Sequence, residues 1–567
     1  MREFFDLGNN ALFVKFVRSR LRKAALLPAL IIAAVLCIGV IIFDEKLIKP
    51  NRPDSTFSQQ AFFVLQGLIL FLMGGSQVAA AVSHINESGI IDFHRVTPMP
   101  SKVQTIGILL GAPIRELLVY SVTLPFSVYV ALAGPVGITG WCKLLLVQLG
   151  AAVMYYTLAM VAGMSAKSGK GASGRFVTLL AVLNFAAGRL YPFGVYGPTL
   201  LTVVPVYEEV FPDMPRGQAQ QQMQQAQQAQ QMQPPPGQKA GMQPGAGQNP
   251  NAQPGQGPQG PQQRNRGQRG QPPGQPREIT FYSAPIPVVL QSLMFQGTFI
   301  TFMFIAASRR IRSSRLPLYS KPMALLFFGC IAVLTLGSVW DSARALQVLG
   351  MVYFLTICAM MLTSTVTPVL GDVTKGMQRA WKMSSSRVPP WSDLTTNKFV
   401  VLLFAAILAL ATTVAITASP DQPMPWFIQF QNEFQPWQPL AVGVAVVLLF
   451  GFSMQYFHVI TDRKANAFLA MLIVFGWLLP MMVGGFLSNT NEDLGNIVMA
   501  VSPITGIANA GGVSIDNTDP RTIQFAAIAP WAIFGAVFAL LLVSAERKLR
   551  DRVHSENHQQ VRKGEGE

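Results

Sequence analysis

Charge is what this chain has least of. Asp, Glu, Lys and Arg together make up 12% of its 567 residues, roughly half the share in an ordinary soluble domain, which excludes a core hidden beneath a charged surface in water. Cysteine is just as sparse. The four residues, Cys37, Cys142, Cys330 and Cys358, fall in or at the edge of apolar stretches, so neither a disulfide framework nor a thiolate metal site is expected. The five histidines, His84, His94 and His458 among them, are scattered without ligand spacing, which speaks against a histidine metal centre. No G-x-x-x-x-G-K-[ST] loop is present, so the chain is not expected to cradle nucleotide phosphates by itself. The run GMSAKSGKGASG at 163–174 fails on spacing. Met164 stands five residues before Gly169, and Gly171 stands where a magnesium-binding hydroxyl is needed. No Ser, His and acid set shares a depth that would suit hydrolysis.

What the chain has instead is apolar length. Half of its residues are hydrophobic, its mean hydropathy is +0.37, and stretches such as 24–43, 399–418 and 525–545 are nearly unbroken apolar runs. Each has the length that crosses a ~30 Å hydrocarbon layer as a helix. The first is too long, and lacks a small-residue cleavage site, for a removable signal peptide, so it is expected to be retained. The net charge of +16 would suggest nucleic acid in a soluble protein, but its distribution argues otherwise. Lys15, Arg18, Arg20, Arg22 and Lys23 precede the first run, Arg309, Arg310, Arg312 and Arg315 lie near the middle, and Arg547, Lys548, Arg550 and Arg552 follow the last. This positive-inside pattern places both termini in the cytoplasm of a multi-pass protein in the cell membrane. No aromatic-interleaved basic module accompanies the charge, so nucleic acid is not an expected partner.

The fold class that follows is an all-α polytopic membrane protein of about twelve transmembrane helices in two repeated six-helix halves. The spans are expected near 24–43, 61–82, 106–132, 142–164, 176–192 and 284–307, then near 323–340, 348–367, 399–418, 439–460, 468–486 and 525–545. An amphipathic elbow (1–23) precedes a first half carrying spans one to five (24–211). Residues 279–322 hold the sixth span and a basic link, 323–545 the second half, and 546–567 a cytoplasmic tail. Between them, residues 212–278 are dominated by Gln, Pro and Gly and nearly lack large apolar side chains, the composition of a disordered insertion. The topology puts that insertion outside. Arg115 and Glu116 fall in the third span near its cytoplasmic end, where snorkelling or pairing suffices and a gating role is the alternative.

An internal repeat supports the two halves. The loop NESGIIDFHRVTPMPSKVQ after the second span and the loop VTKGMQRAWKMSSSRVPPWSD after the eighth align without gaps. Gly89 meets Gly376, Ile90 meets Met377, Arg95 meets Lys382 and Thr97 meets Ser384, a constant offset of 287 residues. Arg175 and Pro192 bracket the fifth span with the spacing of Arg463 and Pro480, at an offset of 288.

A basic amphipathic N-terminal segment, two spans, a loop carrying Glu87, Gly89, Asp92, Thr97 and Pro98 followed by Ser101, and GILLGAP at 107–113 form one pattern. RKANAFLAMLIVFGWLLPMM at 463–482 and SPITG at 502–506 extend it. The pattern resembles the ABC type 2 exporter permease family. The resemblance implies that the short helix after the second span docks in a cleft of a separate nucleotide-binding subunit. Ile90, Ile91 and Phe93 would supply its apolar face, Asp92 and Arg95 its register, and Pro98 the turn back to the membrane. The second loop, with Gly376, Met377, Arg379, Trp381 and Lys382, is expected to couple less. There Lys375 replaces the small residue before the glycine, and the Thr-Pro pair has become Ser384 and Ser385. The partners implied are a cytoplasmic ATP-binding cassette ATPase, in two copies, and membrane lipid. The chain itself is then not an enzyme and holds no cofactor, with ATP and Mg bound by the ATPase. The competing expectation is an ion-coupled secondary transporter, whose two six-helix repeats would look similar. It calls for ionisable residues near the bilayer midplane, and the spans are almost devoid of them. An apolar path without fixed charge suits lipids, amphipaths, drugs or a polymer equally.

Overall fold

The computed structural model describes residues 8, 10–50, 55–89, 99–166, 168–190, 196–211, 280–313, 317–340, 344–383, 388–418, 435–461, 471–488, 490–511 and 520–564. The chain divides into two units, Met1–Val206 with Glu278–Glu567, and Tyr207–Arg277. Of the second only Tyr207–Phe211 is described, where the Tyr207 and Phe211 rings lie 4.8 Å apart. The expected insertion at 212–278 lies outside the described residues.

The first unit opens with α1 (Ala11–Arg20) and α2 (Lys23–Phe43), which runs into a π-helical turn, Asp44–Ile48. Next come α3 (Phe57–Gly67) and α4 (Gly75–Glu87), joined through π-helical Leu68–Gly74 into one long rod. Then follow α5 (Ser101–Gly111), α6 (Ile114–Ala133), α7 (Gly137–Ser165), α8 (Gly169–Leu190) and the short α9 (Tyr196–Leu200) and α10 (Val204–Val210). A two-stranded hairpin, β1 (Thr280–Phe281) and β2 (Ala284–Pro285), leads into α11 (Val288–Arg312). The second half holds α12 (Lys321–Val339), α13 (Arg344–Val366), α14 (Leu370–Lys382), α15 (Lys398–Ala418) and α16 (Trp437–Ile460). It closes with π-helical Val474–Leu478 running into α17 (Leu479–Leu487), then α18 (Glu492–Val501), α19 (Pro503–Ala510) and α20 (Pro520–Gly564).

Among the described residues, ten helices are long and apolar enough to cross a membrane. With a single two-residue hairpin as the only sheet among those residues, the chain is an all-α polytopic membrane protein. The other two of the twelve expected spans, each the fifth of its half, are described only in part, since 191–192 and 468–470 lie outside the described residues, and among the described residues neither forms a long apolar helix of that kind. In α8, Arg175 and Arg189 leave only 176–188 free of charge, while the eleventh is a 17-residue segment, Met471–Leu487. The third span is also not one helix. Pro113 has no amide to give Leu109, so the chain breaks at Ala112–Pro113 into α5 and α6.

The order of elements runs in parallel through the two halves. In each, the fourth span (α7 or α16) is the most enclosed of its long helices, and a pair of short helices (α9 and α10, or α18 and α19) separates the fifth helix from the sixth. A hydroxyl caps the second member of each pair: Thr202 Oγ1 accepts from Val204 N at 3.2 Å, and Ser502 Oγ from Ile504 N at 3.3 Å. Apolar solvent gives helices little reason to associate, so polar contacts and close packing must hold them. Gln66 Nε2 accordingly donates to Thr123 Oγ1 (3.1 Å) and Ser127 Oγ (3.0 Å), and Gln148 Nε2 to the Phe63 carbonyl (3.2 Å). The hairpin turns at Tyr282 and Ser283, both with positive φ, and Tyr282 Oη donates to the Val333 carbonyl at 2.7 Å. This ties the start of α11 to the far end of α12.

Candidate functional site: a polar seam at one end of the bundle

The two loops singled out in the sequence follow α4 and α13. Glu87 ends α4, with Oε1 accepting from Ser83 Oγ at 3.4 Å. Gly89 has φ +69°, a left-handed conformation that a side chain disfavours, and open space around it. Ile90, Asp92, Phe93, Arg95, Thr97 and Pro98 lie outside the described residues. The chain resumes at Met99 and Pro100, which with Ser101, Lys102, Ile311 and Arg312 line a groove of about 360 Å³ between the base of α5 and the end of α11.

Gly376, Met377, Arg379, Trp381 and Lys382 all lie on α14, a strongly amphipathic helix. Val373 and Gly376 are buried, while Lys375, Gln378, Arg379 and Lys382 are exposed. Asp372 in its first turn and Arg379 and Lys382 in its last complement the helix dipole. A Cβ on Gly376 would stand 2.5 Å from the Leu394 carbonyl, so the glycine is what lets the following loop fold back across the helix. The inner face packs on α16 and on α20.

The structure adds residues that the sequence reading passed over. Lys321, the first residue of α12, has no solvent exposure. Its Nζ donates to the Thr395 carbonyl (2.7 Å), Thr395 Oγ1 (2.6 Å), the Thr396 carbonyl (3.0 Å) and the Pro390 carbonyl (3.4 Å). Asp393 in the same loop accepts from Lys321 N at 3.3 Å and forms an ion pair with Arg309 of α11. Arg309 Nε also donates to the Pro317 carbonyl at 3.3 Å. Asn397, fully buried, bonds Thr367 Oγ1 through Nδ2 (2.6 Å) and Gln455 Oε1 through its amide (3.2 Å). Lys398 pairs with Glu546 of α20. Beside them Tyr319 is buried, its hydroxyl donating to Met303 Sδ at 3.2 Å, and burial pushes that phenol above its ordinary range.

On the first-half side, Asn10 caps α1 by accepting from Leu12 N (3.1 Å) and Phe13 N (3.2 Å), and its Nδ2 reaches the Val103 carbonyl of α5 at 2.7 Å. A Cβ on Gly107 would stand 2.5 Å from Asn10 Oδ1, and one on Gly111 3.0 Å from Phe16. The glycines of the GILLGAP run are therefore the surface on which α1 lies. Thr105 and Ser308 join their hydroxyls at 2.9 Å, tying α5 to α11. The contacts run without a gap from α1 through α5 and α11 to the loop 388–397, α12, α15 and α20.

The Arg115–Glu116 pair closes within α6, at 2.7 Å, and not across two helices. Glu116 is 1% exposed. Among the described residues its Oε2 and the hydroxyls of Tyr120 and Tyr156 have no hydrogen-bond partner. The π-helical turn Leu68–Gly74 packs on α6 and α7 beside them. Among the described residues no cluster of His, Cys, Asp and Glu could hold a metal ion.

Comparison with protein-family models, with curated proteins and with solved structures yields no match.

Proposed function

We propose that this chain is the membrane-spanning permease of an ATP-binding cassette exporter, its two halves packed as a pseudo-twofold pair, with ATP hydrolysed on a separate cytoplasmic ATPase. The observation that carries the reading is the seam of hydrogen bonds and ion pairs linking both loop regions at one end of the bundle. A force applied at α14 would reach α11 and α12 through Asp393 and Lys321, and one applied beside Met99 would reach α11 through Thr105 and Ser308. The groove beside Met99 carries Lys102 and Arg312, a charge suited to an acidic rim on the ATPase. In this reading both termini and both loops are cytoplasmic in an inner membrane, two ATPase copies bind, and ATP and Mg stay with them. The test is co-purification of the ATPase with the chain, followed by transport-stimulated hydrolysis in the complex. Transport by the purified chain in a proton gradient, with no ATPase present, would overturn it.

That outcome would favour the ion-coupled reading, for which the buried Glu116 with Tyr120 and Tyr156 is the supporting observation.

A further inference from the structure

The outer side of α1 carries a groove of about 630 Å³ lined by Ala11, Val14, Lys15, Arg18, Ser19 and Arg22. Positions 11, 15 and 18 are spaced by four and three residues, so they form one stripe on the helix surface, and Arg22, in extended backbone just past the end of α1, completes the lining of the groove. The stripe faces away from the buried Leu12 and Phe16. Lys15, Arg18 and Arg22 are exposed, and among the described residues none of the three makes an ion pair or a hydrogen bond. Three uncompensated cations at close quarters repel one another, and the helix cannot turn to separate them. Asn10 is bonded to Val103, and Phe16 sits against Gly111, so the charges are presented in a fixed direction.

Arg22 is also the residue that precedes the first turn of α2. That helix is the least enclosed of the ten long apolar helices, with 11% of its span window buried. Leu27, Ile31, Val35, Ile38 and Ile42 are all exposed, and their spacing of four, four, three and four residues makes a second stripe, apolar and about 22 Å long. A ligand that satisfies both surfaces is anionic at one end and apolar for the rest of its length. We propose that the groove binds the phosphate of an anionic phospholipid whose acyl chains lie along α2. A free phosphate would match the groove and leave the apolar stripe unexplained. A phospholipid matches both, and basic residues at a bilayer surface are where anionic headgroups are drawn.

The experiment uses the full chain purified in detergent and titrated with phosphatidylglycerol or phosphatidylcholine, with retained lipid read by native mass spectrometry. Wild-type protein is expected to retain phosphatidylglycerol in preference to phosphatidylcholine. The variant K15Q/R18Q/R22Q should lose that preference, with affinity falling on the order of 100-fold. Removing the same charge from the end of α20, in R547Q/R550Q/R552Q, should leave the preference in place. Elution of the first variant at the wild-type volume shows that its fold is kept, and the exposed positions make that the expected result. A tryptophan introduced by Ile31→Trp should be quenched by phosphatidylglycerol brominated on its acyl chains, which reads the apolar stripe separately. Equal retention by K15Q/R18Q/R22Q and wild type would overturn the site. Displacement of phosphatidylglycerol by inorganic phosphate alone would assign the groove to free phosphate and overturn the lipid.

Discussion

A lysine closed off from water is tolerable only when its three N–H donors are all used, and Lys321 uses them on one loop. Lys321→Met keeps the volume and removes the donors, leaving the Thr395 and Thr396 carbonyls without that partner at about 1–3 kcal/mol each. The expected result is a lower melting temperature in detergent and faster hydrogen exchange confined to 388–397, with uniform exchange counting against a local clamp. Asn10 is the first-half counterpart in kind. Asn10→Ala should cost about 0.5–2 kcal/mol as a lost helix cap, and Gly107→Val about 1–3 kcal/mol as an overpacked contact. Because both act on the seating of α1 against α5, the double variant should cost less than the sum of the singles. Full additivity would show that the two residues do not share one contact. Neither Lys321 nor Asn10 was legible beforehand. A lysine at the edge of an apolar run reads as a snorkelling side chain, and the acceptors of its Nζ lie 69 to 75 residues away. Gly107 and Gly111 were visible as a spaced pair. What they accommodate depends on α1 lying across them, and periodicity carries no such information.

Long apolar runs declare themselves by length, because only about 20 residues of helix will cross the hydrocarbon, and α12, α13, α15 and α16 begin and end within a few residues of the expected limits. Elements held by tertiary contacts do not. The expected spans leave 487–524 as a connection, yet α18 and α19 lie there, fixed where Ser502 Oγ donates to the Trp477 carbonyl (2.7 Å) and Trp531 Nε1 to the Val501 carbonyl (2.8 Å). The break at Pro113 and the π-helical turns leave no trace in hydropathy either. Helix α14 is the clearest gain from the fold, since its residues were expected as a loop and form a helix with one cationic face. If the proposed ATPase docks here, reversing Asp92 and Arg95 together, by Asp92→Arg with Arg95→Asp, is expected to uncouple ATP hydrolysis from transport while leaving insertion and folding intact, because rim charges set docking register. Arg379→Glu with Lys382→Glu should act in the same direction and less strongly, since the second loop departs from the pattern at Lys375, Ser384 and Ser385. A larger effect from α14 would make it the principal docking helix.

At the scale of the whole molecule, the insertion and the seam make opposite claims. The described chain resumes in a hairpin anchored to α12 through Tyr282 and Val333, so shortening 212–278 by about sixty residues should leave the melting temperature nearly unchanged, because loop length enters closure entropy only logarithmically. A collapse of expression would mean that the segment contributes to folding. The seam is where the two halves should feel one another, and Arg309–Asp393 is its one ionic contact between α11 and the loop beyond α14 among the described residues. The side chains are 24% and 20% exposed, so solvent weakens the pair without abolishing it. Arg309→Asp alone places two carboxylates together, and Asp393→Arg alone places two guanidinium groups together. Each should lower stability and coupling. Exchanging both restores opposite charges, and the interaction energy of the cycle should fall at about 1–3 kcal/mol. Rescue will be incomplete, because Arg309 Nε also holds the Pro317 carbonyl and Asp393 the amide of Lys321, neither of which the exchanged side chains can reproduce. If the pair only braces one half, the cycle will appear in thermal unfolding and, in the proposed complex with an ATPase, leave the ratio of ATP hydrolysed to substrate moved untouched. If it transmits motion between halves, that ratio will follow the same cycle, rising in each single variant and returning in part in the double.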